Sequence, residues 1–484
     1  MMKTTLKTKF ICYMIPSVLA QWVYTLYNMV DGIFVARGVN EIALTAVNMA
    51  FPFLTFLFAV SITFAVGTST FAALRIGKNM EEESGRSSGK EKGVGEERGI
   101  CKERGTGKEK GADKEKEIAG EKDTASALFM QDIVVQLILS IVIVGICLPR
   151  IPDIAVLLGA KDQDIRMYLI EYLHWIVPFS GAFLLSYTFE ILLKTDGYPR
   201  KAMQIVTTGA VLNIFLDWLF VIRLERGVAG AAFATSLSQI TVTILYCVHF
   251  ARAAGALHFC RFVPEPRMIL KEAYNGFSAG INEFSAGLIT VIFNHVITAF
   301  LTEQALVSYA MTSYINNIVI CSITGISQGA QPLISTYYGR KDKESTNILK
   351  AYLFRASMLF GIISFLLCFF FGKEYILFYL KPEEEELIRY SLKVFREFTA
   401  SFLFAGFNLA TVGYFTAVVQ SGKAFFISIC RSLAMLCLSL LVLILILGGA
   451  GVFWAPLLSE MICMLFSVFL MKKKAGRLYD STQD

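Results

Sequence analysis

The chain of 484 residues carries twelve long apolar spans in two sets of six, and the second set repeats the spacing of the first. Glu41 to Gly77 overlays Glu303 to Gly339 without a gap, at an offset of 262 residues. Glu, Ala and Leu match at the start, Met49 meets Met311, and Gly67 and Gly77 meet Gly329 and Gly339. Further on, Ala229-Gly230 to Gln239 overlays Ala450-Gly451 to Glu460, at an offset of 221. The difference between the offsets matches a polar segment near 80–122 that only the first half carries. A duplicated six-helix unit with an insertion accounts for this arithmetic. Two like halves in a membrane typically rock against each other around a site between them.

The spans decide the solvent. Aliphatic, aromatic and Cys residues make up 55% of the chain, and the mean hydropathy is +0.57. About 20 apolar residues cross a bilayer as a helix. The spans fall near 10–36, 44–76, 125–149, 165–193, 202–222, 229–250, 269–300, 305–337, 346–372, 387–418, 424–447 and 451–471. They run on without period-two alternation, which excludes a β-barrel and predicts an all-α integral membrane protein. The first span follows Lys3, Lys7 and Lys9 but is too long for a signal peptide and carries Gln21, Asn28 and Asp31, so it reads as a retained helix. The expected organisation is an N-lobe over 1–251, a linker over 252–268, a C-lobe over 269–471 and a tail over 472–484.

With the N-terminus inside, the inner segments hold 19 Lys and Arg, against 9 on the outer side, before the insertion is counted. The positive-inside rule then places both termini in the cytoplasm of a multi-pass inner-membrane or plasma-membrane protein. The net charge of +6 reflects this orientation and gives no basis for nucleic-acid binding. The ten cysteines form no CxxC pair and the four histidines lie far apart, so neither a disulfide framework nor a zinc site is expected. The insertion near 80–122 is rich in Gly, Lys and Glu and is expected to be disordered. Its Gly105-Thr106-Gly107-Lys108 lacks the full spacing of a phosphate loop.

Charged side chains at membrane depth are costly, so each marks a possible function. Asp31 stands late in the first helix. Asn213 and Asp217 stand four apart on the fifth, hence on one face, and Thr235 on the sixth adds a hydroxyl. Two carboxylates, an amide and a hydroxyl suit Na⁺ and equally suit a proton carrier. The alternative places Asp31 and Asp217 in water at helix ends, with Arg223 and Arg226 close to Asp217. Glu283 on the seventh helix is a second acid, open to a cationic ligand or to a structural partner. Glu190, Arg355 and Arg431 also fall in or near apolar spans, with pairing or snorkelling as the simpler roles of the two arginines. Gln21, Tyr24, Asn28, Tyr187 and Asn408 offer polar and aromatic groups to a cavity or to neighbouring helices. Pro16 marks a possible bend in the first helix.

These residues resemble the multidrug and toxic compound extrusion (MATE) family. The carriers are Ile15-Pro16, Tyr27 to Ala36, Thr195-Asp196-Gly197-Tyr198-Pro199-Arg200-Lys201-Ala202, Asn213 to Asp217 and Gly227 to Ala232. The resemblance implies two six-helix lobes forming a V, alternating access, and export of organic cations or other amphipathic compounds in exchange for Na⁺ or H⁺. It implies a cation site at Asp31, Asn213, Asp217 and Thr235 and a central cavity, for which the polar and aromatic residues read above, Gln21, Tyr24, Asn28, Glu283 and Asn408, are the expected substrate-facing groups. It departs from members with an Asp on the tenth helix, where 398–419 hold no acid and Asn408 is the main polar group. The expected protein is a monomeric antiporter in the lipid bilayer with a small-molecule substrate and no cofactor beyond the coupling ion. The alternative is a flippase for a lipid-linked saccharide, which would need more intramembrane Arg and Lys. An enzyme lacks support, since no nucleophile–base pair or HExxH occurs.

Overall fold

The computed structural model describes residues 2–88 and 115–472. Every regular element among them is helical. In the first half these are α1 (Met2–Gly38), α2 (Glu41–Ser88), α3 (Glu115–Cys147), α4 (Gln163–Thr195), α5 (Pro199–Arg223) and α6 (Gly227–Ala251). In the second half they are α7 (Pro266–Phe300), α8 (Glu303–Gly339), α9 (Lys343–Leu377) and α10 (Glu385–Ala417). The remaining 52 residues, Ser421–Lys472, form one continuous candidate span by composition. Gly448, at φ +62°, breaks it into α11 (Ser421–Leu447) and α12 (Ala455–Lys472), which pack on each other. Twelve crossings result, as expected.

Local chemistry sets the ends. Asn40 caps α2 by accepting from the Ala43 N–H at 2.7 Å, and Asp162 and Asp342 cap α4 and α9 in the same way. Pro199 and Pro266 open α5 and α7, where a missing N–H costs nothing. Left-handed residues close α4 and α10 at Gly197 (φ +96°) and Val419 (φ +56°), 222 residues apart. The two halves therefore share their turns as well as their helices. Pro16, Pro52 and Pro332 lie inside unbroken helices, whereas Pro178 tightens α4 into a 3₁₀ turn at Val177–Phe179.

Two boundaries differ from expectation. α2 runs on to Ser88 and α3 begins at Glu115, so both helices enter the segment read as a disordered insertion. Helical propagation adds one hydrogen bond per residue once a turn exists, and it continues through polar residues past the apolar run. The rest of that segment, 89–114, and the tail after Lys472 lie outside the described residues. The linker is shorter than expected, because α7 starts at Pro266. The linker is also tied down. Its Leu257 N–H donates to Asp196 Oδ1 at 2.8 Å, and Tyr198 Oη donates to Ala254 O at 2.7 Å. Lys201 Nζ lies 2.7 Å from His249 Nδ1, and His249 Nε2 faces Asp196 Oδ2 at 3.5 Å. Burial pushes the Asp196 carboxyl above its ordinary range, and hydrogen bonds from His249 and the Leu257 N–H pull it back.

Each half has its own core. Val35, Leu57, Tyr172 and Phe183 pack in the first, and Phe293, Tyr309, Phe398 and Phe453 in the second. A third core joins the lobes at the linker end, where Leu6, Phe10 and Tyr13 of α1 pack with Ile334, Leu353 and Phe415. Glycines allow the lobes to touch there. A Cβ on Gly67 of α2 would come within 2.5 Å of the Glu272 carbonyl carbon on α7, and one on Gly329 of α8 within 2.8 Å of Tyr13 O on α1. Gly77 lies against Thr336 of α8 and the capping Arg340 just beyond it, while Gly339 lies against Leu74 of α2. Leu74 and Thr336 are themselves 262 apart. The glycines that matched in the sequence overlay thus form one pseudo-symmetric seam. Hydrogen bonds cross it from Lys9 to Tyr337, from Gln21 to Gln328 and from Trp22 to Ser322, between the linker end and the middle of α1 and α8. The lobes meet from the linker end to the middle of these helices, with Gly276 and Gly280 of α7 against Thr63 of α2.

Candidate cation site and central cleft

Asp31 of α1, Asn213 and Asp217 of α5 and Thr235 of α6 converge inside the N-lobe. The four-residue spacing puts Asn213 and Asp217 on one inward face, 2% and 0% exposed. Asp31 is 7% exposed. Neither acid is a solvated helix cap, and the Arg223 and Arg226 side chains turn outward into exposed positions. Asn213 Nδ2 donates to Thr235 Oγ1 at 3.4 Å, and Thr235 Oγ1 donates to Ala231 O at 3.1 Å. Four oxygens are left over: Asp31 Oδ1, Asn213 Oδ1 and both carboxylate oxygens of Asp217 have no hydrogen-bond partner. Buried polar atoms are almost always partnered, so four together are strongly unfavourable without a bound positive species.

The surroundings fit such a guest. The π-helical turn Trp218–Arg223 follows Asp217 directly, and such bulges concentrate at functional sites. Tyr27 and Tyr172 flank both acids. A cavity of about 10 Å³ lies beside Asn213 and Thr235, also lined by Tyr24, Tyr27, Gly209 and Gln239. That is room for one water-sized particle.

Tyr24 connects this cavity with the cleft between the lobes. Its ring is 5.9 Å from that of Tyr187, which in turn lies 5.4 Å from Phe58. Tyr187 faces Glu283 of α7, and Gln21 and Gln328 face its hydroxyl from the two lobes. Gln21 Nε2 donates to Gln328 Oε1 across the cleft at 3.2 Å. Of the residues expected in a cavity, Gln21, Tyr24 and Glu283 come together here. Asn28 is exposed one helical turn beyond Tyr24.

Asn408 does not join them, which corrects the expectation from the sequence. It is fully buried within the C-lobe, where Nδ2 donates to Glu460 Oε2 at 2.7 Å and to Glu460 O at 2.9 Å. Ser467 Oγ donates to Asn408 Oδ1 at 3.0 Å, and Arg431 Nε pairs with Glu460 Oε1 at 2.9 Å. The physical reason is the ion pair: a buried Glu–Arg pair needs its remaining oxygen satisfied, and Asn408 supplies the donor. Glu190 is likewise structural, paired with Lys194 at 2.7 Å with both side chains 1% exposed. Arg355 lies on an exposed face.

The repeat makes the C-lobe network informative. Asn408 and Ser186 are 222 apart, and Glu460 and Gln239 are 221 apart. Ser186 Oγ donates to Gln239 Oε1 at 2.6 Å, so one interhelical hydrogen bond recurs in both lobes. Arg431 falls 222 residues after Gly209. Gly209 lines the N-lobe cavity, and the C-lobe places a guanidinium at the corresponding position. Gln239 and Gln328 were missed from the sequence because amides in apolar helices are common as packing partners. The signal for Gln239 lay in the repeat overlay, which pairs it with the acid Glu460, whereas Gln328 overlays Val66 and has no such signal.

The MatE family profile matches residues 16–90, 119–219 and 278–441. Multidrug export protein MepA of Staphylococcus haemolyticus (strain JCSC1435) is 23% identical over 346 residues, covering 71% of this chain and 75% of its own. MepA of Staphylococcus aureus (strain MSSA476) is 22% identical over 351 residues, covering 72% and 76%. Among solved structures, the outward-facing conformation of a multidrug resistance MATE transporter of the MOP superfamily superposes with a TM-score of 0.80 at 21% identity. It covers 96% of this chain and 95% of its own. A MOP superfamily transporter from Pyrococcus furiosus, described as having a binding pocket of reverse polarity, gives 0.79 at 20% identity, with 96% of each chain covered. With twelve crossings in two lobes and a cleft between them, the chain is a membrane transporter belonging to the MatE family.

Proposed function

We propose that the protein is a secondary-active efflux antiporter that exports amphipathic organic cations in exchange for a small monovalent cation, Na⁺ or H⁺. The observation that carries this reading is the set of four unpartnered oxygens at Asp31, Asn213 and Asp217. The coupling ion binds there and neutralises the two acids. The exported compound binds in the cleft, where Tyr24 and Tyr187 offer aromatic faces and Glu283 a negative charge. Tyr24 borders both places, so a change at one repacks the wall of the other. Exchange follows if each ligand has a different affinity for the two lobe arrangements. The C-lobe Arg431–Glu460 pair is a permanently filled counterpart, which leaves coupling to the N-lobe. The basic linker end is read as cytoplasmic and the cleft as open outward.

The test is uptake of a fluorescent organic cation into everted vesicles, with Na⁺ and pH gradients imposed separately. The wild-type protein is expected to respond to one of them. Asp31→Asn and Asp217→Asn are expected to abolish driven uptake while membrane insertion is retained. Gradient-driven uptake at the wild-type rate in both variants would reject the assignment.

A further inference from the structure

A second buried acid pair lies at the linker end, outside the site above. Asp132 of α3, in the N-lobe, is 1% exposed, and Glu272 of α7, in the C-lobe, is 2% exposed. The Asp132 charge faces Glu272, and the Thr68 hydroxyl of α2 faces both. Two amides hold the outer oxygens. Gln136 Nε2 lies 3.4 Å from Asp132 Oδ1, and Gln131 Nε2 lies 3.5 Å from Glu272 Oε2. The other oxygens have no hydrogen-bond partner: Asp132 Oδ2, Glu272 Oε1, Thr68 Oγ1 and Gln136 Oε1. Thr68 and Gln136 are both fully buried.

One positive charge bears on the pair, and it offsets one carboxylate at most. Arg75, two helical turns beyond Thr68 on α2, faces Glu265 as well as Glu272. Among the described residues, no positive charge bears on Asp132. Two carboxylates and a hydroxyl enclosed together, with acceptor oxygens to spare, are one proton short. The pair also depends on the seam. Gly67 adjoins Thr68, and its missing Cβ is what lets the Glu272 backbone approach. When the lobes part at this end, Glu272 leaves with α7 and Asp132 stays with α3.

We propose that Asp132 and Glu272 form a proton site assembled across the two lobes and complete only when the linker end is closed. Closing this end takes up one proton and opening it releases that proton. Acid on the linker side therefore holds the seam shut, independently of the ion at Asp31. The inference rests on the rocking of two lobes and not on which ion drives transport.

The experiment measures the closed fraction by electron–electron distance between spin labels at Arg200 and Glu344, exposed on opposite lobes at the linker end, in a background lacking other reactive cysteines. It uses the Asp31→Asn/Asp217→Asn protein, so that titration of the N-lobe site contributes nothing. The closed-to-open ratio is expected to rise up to about tenfold per unit fall in pH within the titration window. Asp132→Asn and Glu272→Gln, which preserve shape, are expected each to flatten that slope. The inference is overturned if the ratio is independent of pH before either substitution, if both variants keep the slope, or if the ratio follows Na⁺ concentration at constant pH. A purely structural role would shift the ratio and leave its pH dependence intact. Loss of coupled efflux in the Asp31 variants, with the slope retained, separates this site from the first.

Discussion

Placing a methyl group at Gly67 loads the closed seam and little else. The new Cβ would lie 2.5 Å from the Glu272 carbonyl carbon and 2.9 Å from its Cα, where ordinary contact begins at 3.4 Å. The obstacle is backbone, so no side chain can rotate away. α7 must withdraw from α2 by about 1 Å, and overpacking of this kind costs about 1–3 kcal/mol. That cost falls on the arrangement with the linker end closed and vanishes when the lobes separate. The closed-to-open ratio should therefore drop by about 5- to 150-fold. Distances between labels at Arg200 and Glu344 in the Gly67→Ala protein read this directly. Gly145→Ala is the control, since nothing lies within 4 Å of its added Cβ. Gly77→Ala and Gly339→Ala should act alike, because each meets the other lobe at the same paired turn. Applied together they should fall short of additivity, since one separation relieves both. If Gly67→Ala keeps the wild-type distance distribution, the seam is not what sets the lobe equilibrium.

Two further predictions concern stability. Arg431→Met leaves Glu460 buried without its partner, so thermal unfolding in detergent should show a loss of about 3–5 kcal/mol, and adding Glu460→Gln should recover most of it. A double variant no more stable than the single one would contradict the ion pair. Asp196 has its carboxyl raised by burial, so its contribution to the linker tether is fully present below the unfolded value and is lost as pH rises through the folded one. Hydrogen exchange at the Leu257 amide, corrected for intrinsic rate, should speed up across that range in the wild type. In Asp196→Asn, which keeps the acceptor, it should not change. Equal pH dependence in both proteins would refute the role of the charge.

Much of the site was legible before any contact was known. A bilayer charges several kcal/mol for an isolated ion, so Asp31, Asn213 and Asp217 stood out from their apolar neighbours, and the four-residue interval set two of them on one face. Asn408 stood out in the same way and was placed in the wrong cavity. Polarity in a helix says that a partner exists without saying which one. Glu460 is 52 residues away along the chain, on a helix whose facing side the pattern does not give. Asp132 was passed over for a related reason: it stands near the inner end of the apolar span that begins at Ala125, close to a polar segment, and its pairing with Glu272 requires the lobes to have met.

Span length and apolar content are properties of a local stretch, and they dictated twelve helices. The recurrence of spacing, Gly67 with Gly329 and Gly77 with Gly339, dictated two like halves. Which acids are orphaned and which are paired came from the packing of helices that local sequence does not relate, such as those of Asp31 and Asp217 or of Asn408 and Glu460. Helix formation is settled by hydrogen bonds within a few residues and by the surrounding solvent. The fate of a buried charge is settled by whichever atoms the folded chain brings beside it, and for Asp217 and Glu460 those arrive from other helices of the same lobe.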